Sequence, residues 1–244
     1  MNRVLGIDIG GSGMKAAIVD IDAGEMVSDK FRIDTPKPAT PDAMADVARQ
    51  LVDHFEWSGP VGVGFPGVTQ NGVVRTATNL HKSWVGTDGD KVFTQSCGCD
   101  VIMINDADAA GLAEANFGVG EGVPGTVILL TLGTGIGSAV IANGKLVPNT
   151  EFGHLVLDGK IAEDRASSRV KEEKDLSFKK WGGELEKVMQ EIEKLFWPEL
   201  FILGGGISKQ FDEFDQYLKD VRTPIVAAEM LNRAGIVGAA LAHA

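Results

Sequence analysis

Thiols are almost absent from this chain: its 244 residues include only Cys97 and Cys99. A CxC pair with no second pair lacks the ligand spacing of a zinc site, so a loop carrying two reduced thiols is expected. An excess of positive charge is missing too. Lys and Arg number 23 against 34 Asp and Glu, a formal charge of -11. That balance excludes the broad basic face of a general nucleic-acid binder, though not a local basic groove. No apolar run approaches the ~18–20 residues that a membrane span needs. The first residues read as a strand, with no basic start followed by a long apolar stretch, and a cytoplasmic protein is expected. The GKS or GKT of a Walker loop is also missing.

What the chain has in quantity is glycine, 31 residues that cluster. Val4 to Ile9 reads as a buried strand, and Gly10, Gly11 and Gly13 turn it into a second strand, Met14 to Ile21. A third strand is expected over Met26 to Ile33. Thr40-Pro41-Asp42 marks a helix start, followed by Met44, Val47, Ala48, Leu51, Val52 and Phe55 along one face. Val61–Phe65 and Val101–Ile104 are short apolar strands, and a helix is expected from Asp108 to Phe117.

The pattern then restarts. Thr126 to Leu132 is apolar, Gly133 to Gly137 turns, Ser138 to Ala142 is apolar again, and Asn143-Gly144 is a hairpin signal before Lys145–Val147. The two copies lie about 125 residues apart, an internal repeat that predicts two related lobes. After a polar stretch over Asp158 to Lys180, Leu185 to Phe196 has helical spacing. Phe201–Leu203 reads as a strand running into Gly204-Gly205-Gly206. Phe211, Phe214, Tyr217 and Leu218 mark another helix, Ile225–Ala228 a last strand, and Ala234–Ala242 a helix of small residues.

Gly turns at strand ends let backbone N–H groups approach a phosphate, because no Cβ intervenes. Ser12, Lys15, Thr131 and Thr134 add donors beside them. Asp106 ends a strand and enters a helix, so it can serve as the carboxylate that takes a proton from a hydroxyl during phosphoryl transfer. It can equally be that helix's cap, unless Asp108 caps it instead. Glu151-Phe152-Gly153-His154 offers a carboxylate and an imidazole, groups suited to adjacent sugar hydroxyls. A lone His is more often structural, but the adjacent Glu151 and Gly153 favour the functional reading here.

DIGGSGMK, GFPG, NDADAAGLAE, LTLGTGIGSA, EFGH and LGGGIS stand in the order seen in the ROK sugar kinases. The resemblance spans roughly residues 3 to 241. It implies an α/β, duplicated, actin-like (ribonuclease H-like) ATPase fold, with two lobes and a central cleft. Residues 1–108 would form a small N-terminal lobe, joined by a C-terminal helix over 232–244, and 109–231 a larger one. In that likeness Asp8, Gly10, Gly11, Ser12 and Lys15 belong to a first phosphate motif, with Asp8 positioning Mg²⁺. Thr131, Gly133, Thr134 and Gly135 belong to a second, and Gly205 and Gly206 to a nucleotide-side loop. Asp106 matches the catalytic base. Asn79, Asn105, Glu151 and His154 match sugar ligands, and Glu163 is chosen as a further one. The zinc-binding cysteines of many members are absent after His154, so no structural zinc is expected.

The resemblance further implies a homodimer that phosphorylates the 6-hydroxyl of glucose from polyphosphate, ATP or both. A strictly ATP-dependent hexokinase and a sugar-sensing regulator are the alternatives. The segment AEDRASSRVKEEKDLSFKKW looks most like the polyphosphate-using members from actinobacteria. Within 165–180 stand six cations, Arg165, Arg169, Lys171, Lys174, Lys179 and Lys180, which could form a track for a long polyanion or merely a solvated charged face.

Overall fold

In a computed structural model the structure describes residues 2–77 and 80–244. The chain divides into two compact units, Met1–Ala113 with Asn232–Ala244, and Glu114–Leu231.

The first unit opens with β1 (Arg3–Ile9), β2 (Gly13–Asp20), β3 (Glu25–Met26) and β4 (Phe31–Asp34). Helix α1 (Pro41–His54), β5 (Val61–Phe65), a small hairpin of β6 (Thr69–Gln70) and β7 (Val73–Val74), helix α2 (Gly89–Cys97) and β8 (Val101–Asn105) follow, and then α3 (Asp106–Phe117) begins. The main sheet runs β3-β2-β1-β5-β8, with β4 also on β2. β1 and β2 are antiparallel, whereas β1, β5 and β8 are parallel.

The expected third strand is two strands. Ser28 explains the break: its hydroxyl accepts from the Ile18 N–H at 2.9 Å, in place of a backbone carbonyl, and the chain steps off the ladder before returning as β4. Helix α1 forms as its pattern predicts. Thr40 caps it on the Ala43 N–H, and Met44, Val47, Ala48, Leu51 and Val52 are buried.

The second unit repeats the plan. Its strands are β9 (Thr126–Leu132), β10 (Ile136–Ala142), β11 (Lys145–Val147), β12 (Val156–Leu157), β13 (Lys160–Ile161), β14 (Leu200–Gly204) and β15 (Ile225–Ala227). Its helices are α4 (Glu163–Ala166), α5 (Ser168–Glu173), α6 (Phe178–Phe196) and α7 (Phe211–Phe214). The sheet order β11-β10-β9-β14-β15 matches the β3-β2-β1-β5-β8 path of the first sheet, without a counterpart of β4 among the described residues: an antiparallel hairpin through a Gly turn, then two parallel neighbours. The duplication read in the sequence is therefore a duplication of topology, and the fold is a duplicated α/β fold of the actin-like kind. Asn143 and Gly144 both take positive φ, the two-residue turn that joins β10 to β11.

Two helices differ from their expected form. α6 begins at Phe178, where Ser177 accepts from the Lys180 N–H, well before the apolar periodicity starts. The segment expected as a helix over Phe211 to Leu218 has only one α-turn, flanked by tighter 3₁₀ turns.

The chain ends in α8 (Ala234–Ala240), which packs against the first sheet. A Cβ on Gly6 would strike the Ile236 carbonyl, and one on Gly62 the Ala239 carbonyl, so both glycines are needed for this helix to lie so close. His243 Nε2 reaches the Val61 carbonyl at 3.0 Å. None of the described helices is long and apolar enough to cross a membrane.

Candidate active site

The carboxyl ends of parallel strands gather the chemistry of each unit. In the first, Asp8 on β1 is in register with Gly64 on β5, and Gly64 with Ile104 on β8. That register brings Asp8, Asn105 and Asp106 to one edge, with Asp8 and the end of β8 two strand spacings apart, roughly 10 Å. The Gly10 N–H closes the first turn on the Gly13 carbonyl at 3.0 Å. No hydrogen bond among the described residues uses the N–H of Gly11 or Ser12, both of which are exposed. Lys15 Nζ stands 3.8 Å from the Asp8 carboxylate. Burial raises the Asp8 carboxyl above the ordinary carboxylate range, against the opposing pull of Lys15 and Lys30.

The end of β8 settles how α3 begins. Asn105 Oδ1 accepts from the N–H of Ala107 at 2.8 Å and of Asp108 at 3.0 Å, while Nδ2 donates to the Gly67 carbonyl at 3.2 Å. Asn105 is thus the cap, in place of the Asp108 considered above, and α3 starts two residues earlier than expected. Asp106 Oδ1 also accepts from the Ala107 N–H at 2.8 Å. Asp106 is half-buried at the first helical position. Among the sequence candidates, Asn79 lies outside the described residues.

In the second unit, Gly204 on β14 is in register with Thr131 on β9, so the Gly133–Gly135 turn and Gly205-Gly206 share one edge. Gly205 has φ 87° and lies against the backbone of Leu132, where a side chain would collide. The Gly133 N–H closes its turn on the Gly135 carbonyl at 3.0 Å, and no bond among the described residues uses the N–H of Thr134 or Gly135.

One sugar-type candidate meets this turn, and two more stand near it. A Cβ on Gly135 would lie 2.5 Å from Glu163 Oε2, and one on Gly153 3.4 Å from the same oxygen. Glu163 therefore lies over the turn and beside the Glu151–His154 motif. Burial raises the Glu151 carboxyl; His154 lowers it and Glu163 raises it further, which places all three groups in one electrostatic neighbourhood. Ser138 holds the motif in place: its hydroxyl accepts from the Phe152 N–H at 3.0 Å and donates to the Thr150 carbonyl at 2.7 Å.

The six cations of 165–180 separate into two kinds. Arg165 is a structural residue, nearly buried, bound to Glu184 at 2.9 Å and to the Leu157 carbonyl at 2.7 Å. Arg169 is folded onto the Gly133–Gly135 turn, and Lys171 sits 4.1 Å above the Phe178 ring. Lys174, Lys179 and Lys180 are exposed. Charge spacing alone could not reveal that half of the run is already engaged.

The sequence profile of the ROK family matches residues 4–175. The chain belongs to the ROK family. Across 97% of its length it is 53% identical to the polyphosphate glucokinase of Mycobacterium tuberculosis strain CDC 1551 / Oshkosh, of which it covers 89%. Among solved structures it resembles the inorganic polyphosphate/ATP-glucomannokinase of Arthrobacter sp. strain KM, with a TM-score of 0.94 and 50% identity over 99% of this chain and 98% of that one. A ROK family glucokinase of Streptomyces griseus, solved with glucose and AMPPNP, has a TM-score of 0.84 and 25% identity over 99% of both chains.

Proposed function

We propose that this ROK kinase is a glucokinase that moves the terminal phosphoryl group of polyphosphate or ATP to the 6-hydroxyl of glucose. One observation carries the reading: the Glu163 carboxylate lies against both Gly135 of a phosphate-type turn and Gly153 of the Glu151–His154 motif. Acceptor and donor chemistry thus meet within a single unit. The near-full-length likeness to a polyphosphate glucokinase and a polyphosphate/ATP-glucomannokinase supplies the substrates.

Each residue then has a task. Glu151, His154, Glu163 and Asn79 bind sugar hydroxyls. Asp106 accepts the 6-hydroxyl proton as that oxygen attacks the terminal phosphorus, and the bond to the bridging oxygen breaks to release a donor one phosphoryl shorter. Asn105 holds Asp106 at the head of α3 and has one amide hydrogen left for a sugar oxygen. Gly10, Gly11, Ser12, Lys15, Thr131, Gly133, Thr134, Gly135, Gly205 and Gly206 are the residues assigned to the donor phosphates. Asp8 fits Mg²⁺, because a protein commonly supplies one or two carboxylates to this ion while phosphate and water complete its shell. Bound there, Mg²⁺ would offset charge on the transferring group.

The same reading makes the protein a cytoplasmic homodimer. Leu195, Phe196 and Trp197, all exposed at the end of α6, supply an apolar surface for a second copy. For polyphosphate as donor the supporting observation is the exposed trio Lys174, Lys179 and Lys180. The deciding experiment is a coupled assay of glucose 6-phosphate formation, with long-chain polyphosphate and ATP offered separately. Product from polyphosphate is expected. Product from ATP alone would make the protein an ATP-dependent hexokinase, and none from either donor would defeat the kinase reading.

A further inference from the structure

We propose that Arg169 is a positioning residue that aims the Gly133–Gly135 turn at the donor, rather than a member of the polyanion track. The inference rests on the reading of that turn as a phosphate cradle. Two peptide units carry it. Gly133 O accepts from the Arg169 backbone N–H at 3.2 Å and from Ser168 Oγ at 3.0 Å. Thr134 O accepts from Arg169 Nε at 2.9 Å. In a trans peptide the C=O and the following N–H point in opposite directions. Fixing the Gly133 carbonyl toward α5 therefore turns the Thr134 N–H away from it, and fixing the Thr134 carbonyl does the same for Gly135. These are the two N–H groups of the turn that no described residue uses. A guanidinium hydrogen bond to a carbonyl also polarises that peptide, which makes its N–H a stronger donor.

The charge of Arg169 is already answered. Its guanidinium lies 3.3 Å from Glu173 and 3.7 Å from Asp164, so a polyanion would have to compete with two carboxylates for it. The first Gly turn is braced by the same logic from unrelated elements. Thr35 Oγ1 donates to the Gly10 carbonyl at 2.5 Å, which turns the Gly11 N–H outward, and Arg32 donates to the Ser12 carbonyl at 2.7 Å. Arg32 stands on a strand and Arg169 on a helix, so the braces are not copies left by the duplication.

The test compares Arg169→Ala, Arg169→Lys and Ser168→Ala with wild type in steady-state kinetics with each donor, alongside glucose titration by calorimetry. Misaimed N–H groups should raise KM for polyphosphate and ATP by a similar factor and lower kcat, together reducing kcat/KM by about tenfold to a hundredfold in both Arg169 variants. Lys should fail to rescue, because its ammonium cannot reproduce the Nε–H geometry. Ser168→Ala should act in the same direction and more weakly, which keeps the test open if an Arg169 variant folds poorly. Glucose affinity should stay within twofold. Wild-type donor kinetics in Arg169→Ala would overturn the inference. So would full rescue by Lys, or a loss confined to polyphosphate with a shallower salt dependence, since that would mean Arg169 touches the polyanion itself. A wild type inactive with both donors would instead defeat the kinase reading on which the inference stands.

Discussion

In the proposed mechanism Asn105 and Asp106 divide two tasks that a single acid could have combined. The amide oxygen of Asn105 takes two of the first N–H groups of α3, one of them shared with Asp106 Oδ1, so the start of the helix does not rest on Asp106 alone, and an amide at 106 keeps the shared acceptor. Asp106→Asn should accordingly preserve fold and glucose binding while lowering kcat by about 10²–10⁴, the usual value of general-base help. Calorimetry with glucose and a kcat measurement separate the two effects, and near-wild-type turnover would remove Asp106 from the chemistry. Asp8 poses the opposite balance. Burial lifts its carboxyl, so the folded chain holds that proton more tightly than the unfolded chain does. Ionised Asp8 therefore costs folding free energy once the pH has risen past the ordinary carboxylate value, and the cost fades as the pH falls back through it. Asp8→Asn should raise Tm near pH 7, gain less as the pH approaches 4, and lose activity throughout. A lower Tm at pH 7 would show that the contact with Lys15 outweighs burial.

Elements were legible where the signal was local. The repeat of strand, Gly turn and strand and the apolar face of α1 depend on neighbours a few residues apart, and all are present. What escaped depended on partners far along the chain. The break between β3 and β4 turns on a hydroxyl ten residues from its partner, Ser28 to Ile18. The short α7 packs Phe214 against Phe178 and Trp181, so burial places that residue without a regular helix. In the candidate site the motifs were readable, but Glu163 over Gly135 and the engagement of Arg165 and Arg169 are contacts that spacing cannot encode. Helix α8 makes the point quantitatively. Its small residues mark a close approach, yet only the structure names Gly6 and Gly62 as the other side. Gly62→Ala should destabilise the protein by about 1–3 kcal/mol, the cost of forcing a methyl into closed packing. Gly183→Ala, inside α6 with open space where a Cβ would stand, should instead stabilise by about 0.5–1 kcal/mol. Urea midpoints compare the two, and equal shifts would mean that the approach of α8 is not set by Gly62.

Taken as a whole the molecule carries -11 charges and is proposed to bind a polyanion, so long-range repulsion opposes local attraction. Length scales decide between them. At 0.15 M salt the screening length is about 8 Å, so acidic groups distant from the donor contribute little while cations in contact still act. Within 165–180 the contacts proposed are those of Lys174, Lys179 and Lys180, since Arg165 and Arg169 are held by carboxylates and backbone and Lys171 sits over the Phe178 ring. Displacing counterions from a flexible polyanion gives a slope of log affinity on log salt of about -0.7 per contact, hence about -2 for three lysines. Raising salt from 50 to 200 mM should then weaken polyphosphate by roughly fifteen- to twentyfold. ATP, too short to reach all three, should weaken several-fold less. The double variant Lys179→Ala, Lys180→Ala should bring the polyphosphate slope down toward about -0.7 and leave the glucose KM unchanged. Equal salt slopes for the two donors in wild type would place the polyphosphate contacts elsewhere on the surface.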